Sequence, residues 1–210
     1  MYDDGSRLFG VVEITGQDYL DGQVQLIMGI RNGNDRKMSA GICAGSKVFV
    51  CDNLSFMAYT DKQLGTEPVA MRRYHSGRVM DDIEDSLDEA MSRMLVLKDY
   101  QEQFFQTLRT RKLETRGVND IIIRAAEAEN PAIPWGHIQH VKKQWDLQHR
   151  KPENEEEAKK WHEEFTEENA WSLYNCFTEV AKGYLGQNTL AASNRSIAMN
   201  NFFRSRFGKN

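Results

Sequence analysis

The chain has 210 residues, enough for one large domain or two small ones with a sizeable core. Twenty-seven Lys and Arg face thirty-one Asp and Glu, a formal charge of −4, so the total gives no general attraction to nucleic acid or to an anionic membrane. The three cysteines, Cys43, Cys51 and Cys176, form no CxxC pair and are too few for a disulfide framework, which suits a reducing compartment. No apolar run approaches the roughly twenty residues of a membrane-spanning helix, and MYDDGSRLFG lacks the basic-then-apolar order of an export signal. A cytoplasmic protein without membrane partners is expected.

The first part of the chain reads as β. Runs rich in β-branched and aromatic residues, Leu8 to Thr15, Val24 to Arg31, Met38 to Cys43 and Lys47 to Leu54, are separated by glycine and polar turns. Asn32-Gly33-Asn34-Asp35 and Ala44-Gly45-Ser46 offer residues suited to tight turns, so strands two, three and four are expected to form a meander. Val48, Phe49, Val50 and Cys51 are consecutively apolar, the pattern of a strand covered on both faces.

Near residue 77 the period changes. Met80, Ile83, Leu87, Met91, Met94, Phe104, Phe105 and Leu108 recur at helical steps, with acids at the front and Arg109, Arg111 and Lys112 at the rear, an order that complements the helix dipole. A helix over about 78–112 follows. A second helix is expected from Asp120 to Glu129, before Asn130-Pro131. Pro134 suits the first turn of a third, with Trp135, Ile138, Val141 and Trp145 on one core-facing stripe. Asn154 with Glu157 resembles a capping arrangement before Glu155 to Phe165, with 149–154 as a hinge. Trp171, Tyr174, Phe177, Val180 and Tyr184 mark another amphipathic helix, and Ser196 to Phe207 a last one. The expected class is α+β: an antiparallel β-meander over 1–77 packed on a mainly α-helical part over 78–210, as one continuous globular unit, with Val48, Phe49, Val50, Ile83, Leu87, Met94, Trp171 and Phe177 in a shared core.

One pattern runs through most of the chain. It comprises the turn Arg31-Asn32 with Asp35, a strand Val48 to Val50 leading into Cys51-Asp52-Asn53, then Arg73 and His75 within RRYH, and far downstream NAWSLYNCFTEV at Asn169 to Val180. This pattern resembles the phage/plasmid-like family of unknown function (the domain of unknown function 932 type), with Gly33 and Asn34 departing from the Ser-His more usual in its turn. The resemblance implies a phage, prophage or plasmid origin and work in a host cell's cytoplasm. It implies no reaction.

Several motifs fail on inspection. His162-Glu163 begins like a zinc-protease motif, but Thr166 stands where the second ligand belongs. His137 and His140 stand three apart on a helix without a Cys or carboxylate at ligand spacing, so a solvated polar face outweighs a metal site. Gly41 and Gly45 lack the GK(S/T) and the strand-to-helix context of a phosphate loop and read as turn residues. No cofactor or metal is expected.

Two groupings keep chemical content. Asp35, Cys51, Asp52, Arg73 and His75 are candidate catalytic residues, with Arg31, Asn32 and Asn53 as candidate binding residues beside them; imidazole could generate a Cys51 thiolate, or act as acid or base beside phosphate-holding arginines. The competing structural reading has Asx turns at Asp52 and Asn53, a core Cys51 and an Arg73–Asp35 pair at the sheet edge. Arg109, Arg111, Lys112 and Arg116, with Arg204 and Arg206 near Phe202, Phe203 and Phe207, could neutralise phosphates and stack bases. Against that stands a dipole-compensating helix end and a terminal helix with its phenylalanines in the core. The acidic run 153–168 reads as a solvated face or a dock for a basic host protein.

Three functions therefore stay open: a non-enzymatic accessory protein that binds nucleic acid or a host nucleoprotein in replication, recombination or counter-defence; an enzyme acting on nucleotides or nucleic acid through the Arg/Asp/His cluster; and a homo-oligomeric assembly protein. The absence of a complete catalytic motif favours the first.

Overall fold

A computed structural model of the chain describes residues 7–33, 40–48, 53–56, 71–73, 83–158, 166–185 and 189–208. An N-terminal antiparallel sheet is followed by a mostly helical C-terminal region, the α+β class expected from the change of period. Two compact units are distinguished, one comprising Met1–Phe49 with Leu54–Glu102, the other Val50–Asn53 with Gln103–Asn210.

In the first unit, strands β1 (Arg7–Tyr19), β2 (Val24–Gly33) and β3 (Ala40–Val48) pair antiparallel in sequence order, with β4 (Asn53–Phe56) beyond β3 and β5 (Met71–Arg73) also pairing with β3. The β1–β2 hairpin closes on Leu20–Gln23, where the Gln23 amide donates to the Leu20 carbonyl at 3.2 Å and Asp21 and Gly22 both have positive φ, 58° and 77°. Asp-Gly fits this turn because both central positions need left-handed backbone, which glycine adopts freely and Asp tolerates. Between Glu13 and Asp18 the register slips in a bulge that holds Gly16 at φ 74°.

Two strand expectations need correction. Ala44-Gly45-Ser46 is strand interior, since Met28, Ile27 and Leu26 pair with Ala44, Gly45 and Ser46, so Gly41 and Gly45 are strand residues too. Asn32 and Gly33 belong to β2, opposite Leu8 and Arg7. The physical reason is non-local: cross-strand pairing, and the bond that buried Ser46 makes to a helix 55 positions away, override a tripeptide that locally reads as a turn. Among the described residues Val24 to Gly29 of β2 are all buried, so this strand is covered on both faces; the burial of 48–51 lies outside the described residues.

Helix α1 (Ile83–Thr110) lies within the span expected for it, and residues 78–82 lie outside the described residues. Up to Glu102 it belongs to the first unit. There Met94 is fully buried, the Tyr19 hydroxyl donates to Gln101 Oε1 at 2.9 Å, and Gln101 Nε2 donates to Ser46 Oγ at 2.9 Å, a buried polar chain tying the helix to β1 and β3. Glu102 accepts from the Leu20 amide at 3.1 Å, and the Lys98 ammonium reaches Gln17 while lying 5.8 Å from the Tyr19 ring centroid.

The second unit contains the end of α1, then α2 (Thr115–Glu127), a 3-10 turn Trp135–His137 leading into α3 (Ile138–His149), α4 (Glu155–Ala158), α5 (Ala170–Leu185) and α6 (Thr189–Phe207). Helix α2 starts at Thr115, before the expected Asp120, and it buries Val118, Ile121, Ile122, Ala125 and Ala126. Asn154 caps α4 as its sequence indicates, with Oδ1 accepting from the Glu157 amide at 2.9 Å. Helix α5 is buried on every side from Ala170 to Thr178. Its Trp171 and Tyr174 rings meet Phe105 at 4.8 and 5.6 Å, while Tyr174 and Phe177 each meet Phe203 at 5.2 Å. Helix α6 is described from Thr189, earlier than Ser196, and buries Ser196, Met199, Asn200, Phe203 and Phe207 along one face, with Asn200 accepting from the Tyr174 hydroxyl at 2.9 Å.

Of the expected core list, Met94 is buried in the first unit and Trp171 and Phe177 in the second. Residues 49 and 50, and the side chains of Val48, Ile83 and Leu87, lie outside the described residues. Trp135 does not join the core stripe. Ile138, Val141 and Trp145 are buried but Trp135 is 60 % exposed; it is the first residue of a 3-10 turn entered from the extended Pro134 and stands before the α-helix that begins at Ile138.

Candidate functional site

The polar grouping of the N-terminal part is described only in its backbone. Asp35, Cys51, Asp52 and His75 lie outside the described residues. Arg31 and Asn32 lie near the end of β2, Asn53 begins β4, and Arg73 ends β5. Register orders the arginines: Arg31 pairs with Gly41, Gly41 with Arg72, and Ala40 with Arg73. Directly paired residues share a sheet face and successive residues alternate, so positions 31, 41 and 72 form one cross-strand row and position 73 falls in the next. Arg72 was not singled out by the sequence pattern. The cross-strand register that places it could not be read from the linear chain.

The second grouping is described in its side chains. After α1 the backbone of 111–113 is fastened to the start of α5: the Leu113 amide donates to the Glu168 carbonyl and the Ala170 amide to the Arg111 carbonyl, both at 2.9 Å, around a Lys112–Asn169 bridge. Asn169 is the N-cap of α5, its Oδ1 accepting from the Ser172 amide at 2.9 Å, which gives the first residue of the NAWSLYNCFTEV run a definite job. The His149 ring, 3.9 Å from the Trp145 ring, adds contacts to the Trp145 and Glu167 carbonyls at 2.7 and 3.1 Å. This connector holds Arg111 and Lys112 at the surface, and Arg116 is exposed in the first turn of α2. Arg109 differs. It is half-buried, its guanidinium 5.9 Å from the Trp171 ring centroid, a cation over an aromatic face.

The C-terminal arginines are also engaged. The half-buried Arg204 guanidinium lies 5.0 Å from the Phe104 centroid, and Arg206 is 3.8 Å from Asp120, a carboxylate that also accepts from Arg124 at 2.8 Å. Phe203 and Phe207 are core residues and Phe202 is half-buried.

His137 and His140 place their rings 5.3 Å apart. Partial desolvation first, then the neighbouring His140 and Arg195, hold the His137 imidazole below its ordinary 6.5 and favour the neutral ring. Among the described residues no group of three or more His, Cys, Asp or Glu could hold a metal ion. Burial pushes the Cys176 thiol well above its ordinary 9.0, and its Sγ–H donates to Gln148 Oε1 at 3.0 Å, so this cysteine is a packed core group. No described helix is long and apolar enough to cross a membrane.

A model of a family described as a domain of unknown function, DUF932, matches residues 1–199. No curated protein and no solved structure matches the chain.

Proposed function

The chain belongs to this DUF932 family, and from that premise we propose that it is a non-enzymatic accessory protein of a phage or plasmid that binds nucleic acid, or a host nucleoprotein, in the host cytoplasm. The observation that carries this reading is the α1–α2 connector, where Arg111, Lys112 and Arg116 stand exposed on a backbone pinned to the start of α5. A fixed scaffold spares the chain part of the ordering cost of binding, and three cations on it suit successive phosphates of a polyanion. The acidic total argues for a local contact rather than a generally attractive surface.

Charge reversal tests the reading. Arg109 packs over Trp171, so the reversals belong on Arg111, Lys112 and Arg116, where they leave the fold intact. The parent should bind labelled oligonucleotide with an affinity that falls steeply as salt rises, and each lost phosphate contact should reduce the logarithmic salt slope by about one unit. A parent that binds no nucleic acid at low salt, or a triple Glu variant that binds as well as the parent, overturns it.

The enzyme reading keeps one favouring observation, the Arg31–Gly41–Arg72 row with Arg73 beside it, which concentrates three arginine positions where β2, β3 and β5 meet. Turnover of nucleotides lost on His75→Ala or Asp52→Ala would support it. For the homo-oligomeric reading, the aromatic residues Trp171, Tyr174, Phe177 and Phe203 are buried in the second unit's own core.

A further inference from the structure

We infer that the exposed indole of Trp135, on the anchored loop that leads into His137 and His140 and whose Pro131 carbonyl accepts from Arg195, is a stacking platform for the bases of single-stranded nucleic acid. The inference rests on the nucleic-acid reading above and narrows its ligand to unpaired strands. Trp135 is the most exposed large apolar side chain among the described residues, yet the segment carrying it is firmly anchored. Ala132 and Ile133 are buried, the Ala132 amide donates to the Ala125 carbonyl at 2.9 Å, the Arg195 guanidinium donates to the Pro131 carbonyl, and the His137 amide donates to the Pro134 carbonyl at 2.9 Å. Pro131 and Pro134 stiffen the same loop. A tryptophan held rigidly in water exposes a large apolar face without the entropy cost of fixing it at the moment of binding.

The surroundings select the partner. His137 and His140, whose rings lie 5.3 Å apart, follow the indole by two and five residues, and the lowered protonation of His137 keeps that ring a neutral stacking and hydrogen-bonding group at pH 7. Arg195 supplies a cation at the loop, and Lys143, one turn beyond His140, continues exposed positive charge along α3. Aromatic faces beside cations match bases beside phosphates, and only an unpaired strand can offer a base face to stack. Helix α2 runs between Arg116 and this loop; its 13 residues span about 20 Å, so a 12-mer is long enough to reach both.

The test uses the full chain with fluorescein-labelled (dT)12, a 12-base-pair duplex and poly-L-glutamate, read by anisotropy and by intrinsic tryptophan emission. Trp135→Ala is expected to weaken (dT)12 binding about 5- to 100-fold, as the loss of one stacked base requires, while leaving duplex binding unchanged. Trp135→Phe should restore most of the loss, and (dT)12 should quench emission in the parent but not in Trp135→Phe. If Trp135→Ala binds (dT)12 like the parent while reversal of Arg111, Lys112 and Arg116 abolishes binding, the platform is refuted and the connector reading stands. Equal losses for strand and duplex, or Trp135-dependent binding of poly-L-glutamate alone, also refute stacking. No binding of either nucleic acid by the parent sinks both readings together.

Discussion

Replacing Gln101 by Leu should destabilise the first unit more than any contact-by-contact count suggests. The amide of Gln101 is fully buried; it accepts from the Tyr19 hydroxyl and donates to Ser46 Oγ, each at 2.9 Å, and Tyr19 and Ser46 are themselves buried. A leucine of similar size fills the space and leaves two hydroxyls without the partners they have in the parent, at about 1–3 kcal/mol per stranded group, or about 2–6 kcal/mol in all. If that penalty is desolvation rather than lost packing, removing every member of the chain cancels most of it: Tyr19→Phe, Ser46→Ala and Gln101→Leu together should cost under about 1 kcal/mol. All four tryptophans follow residue 102, so their fluorescence reports on the second unit. The assay is hydrogen–deuterium exchange of the peptide covering Val24 to Gly29 during a urea series. A single variant that costs under about 0.5 kcal/mol, or a triple variant that costs more than the single, would refute the reasoning.

Phe203→Ala should cost about 3–5 kcal/mol in a tryptophan-monitored urea titration, because it leaves a cavity where the Tyr174, Phe177, Phe202 and Phe207 rings converge. Cys176, with its raised thiol, should resist maleimide at pH 8 in the native state and label only in denaturant, as read by peptide mass mapping. His137 binds its proton less readily folded than unfolded, so stability should fall as pH drops below the ordinary 6.5 and level off once the folded-state value is passed. His137→Gln should flatten that limb in urea midpoints measured from pH 7.5 to pH 5. Asn154→Ala should lower stability by about 1 kcal/mol through loss of the α4 cap, seen in the same titration.

The sequence discloses helices better than strands, and the particular elements show why. Helix α1 announces itself through apolar steps and end charges that lie within its own residues, and Asn154 and Glu157 are three positions apart. Ser46 looks like a turn residue until Gln101 reaches it, and nothing within five residues of Ser46 carries that information. Apolar run length is incomplete in the same way: Gln25 interrupts the run in β2, yet every residue from Val24 to Gly29 is buried. The Asp21-Gly22 hairpin signal is as legible as Asn32-Gly33; the former closes the β1–β2 turn, while Asn32 and Gly33 lie within β2. Choosing between them requires knowing which strands pair, since Asn32 and Gly33 extend a strand once Leu8 and Arg7 lie opposite them.

For the candidate site the limit is of another kind. Arg109, Arg111, Lys112 and Arg116 form one basic run in the sequence, and charge is all that a sequence assigns to each. The fold divides them by what the guanidinium or ammonium touches. Arg109 and Arg204 lie over aromatic rings and help to hold the core's margin, Arg206 shares Asp120 with Arg124, and Arg111, Lys112 and Arg116 stand exposed. Trp135 was hidden by the opposite error. Its letter says core and its spacing to Ile138 says helix stripe, but it is 60 % exposed on the loop that leads into His137 and His140. A stacking residue and a core residue are therefore indistinguishable in this sequence, and what separates them is the exposure that the fold gives Trp135 after the extended Pro134, which is why the Trp135 variants, rather than any count of charges, decide what this surface binds.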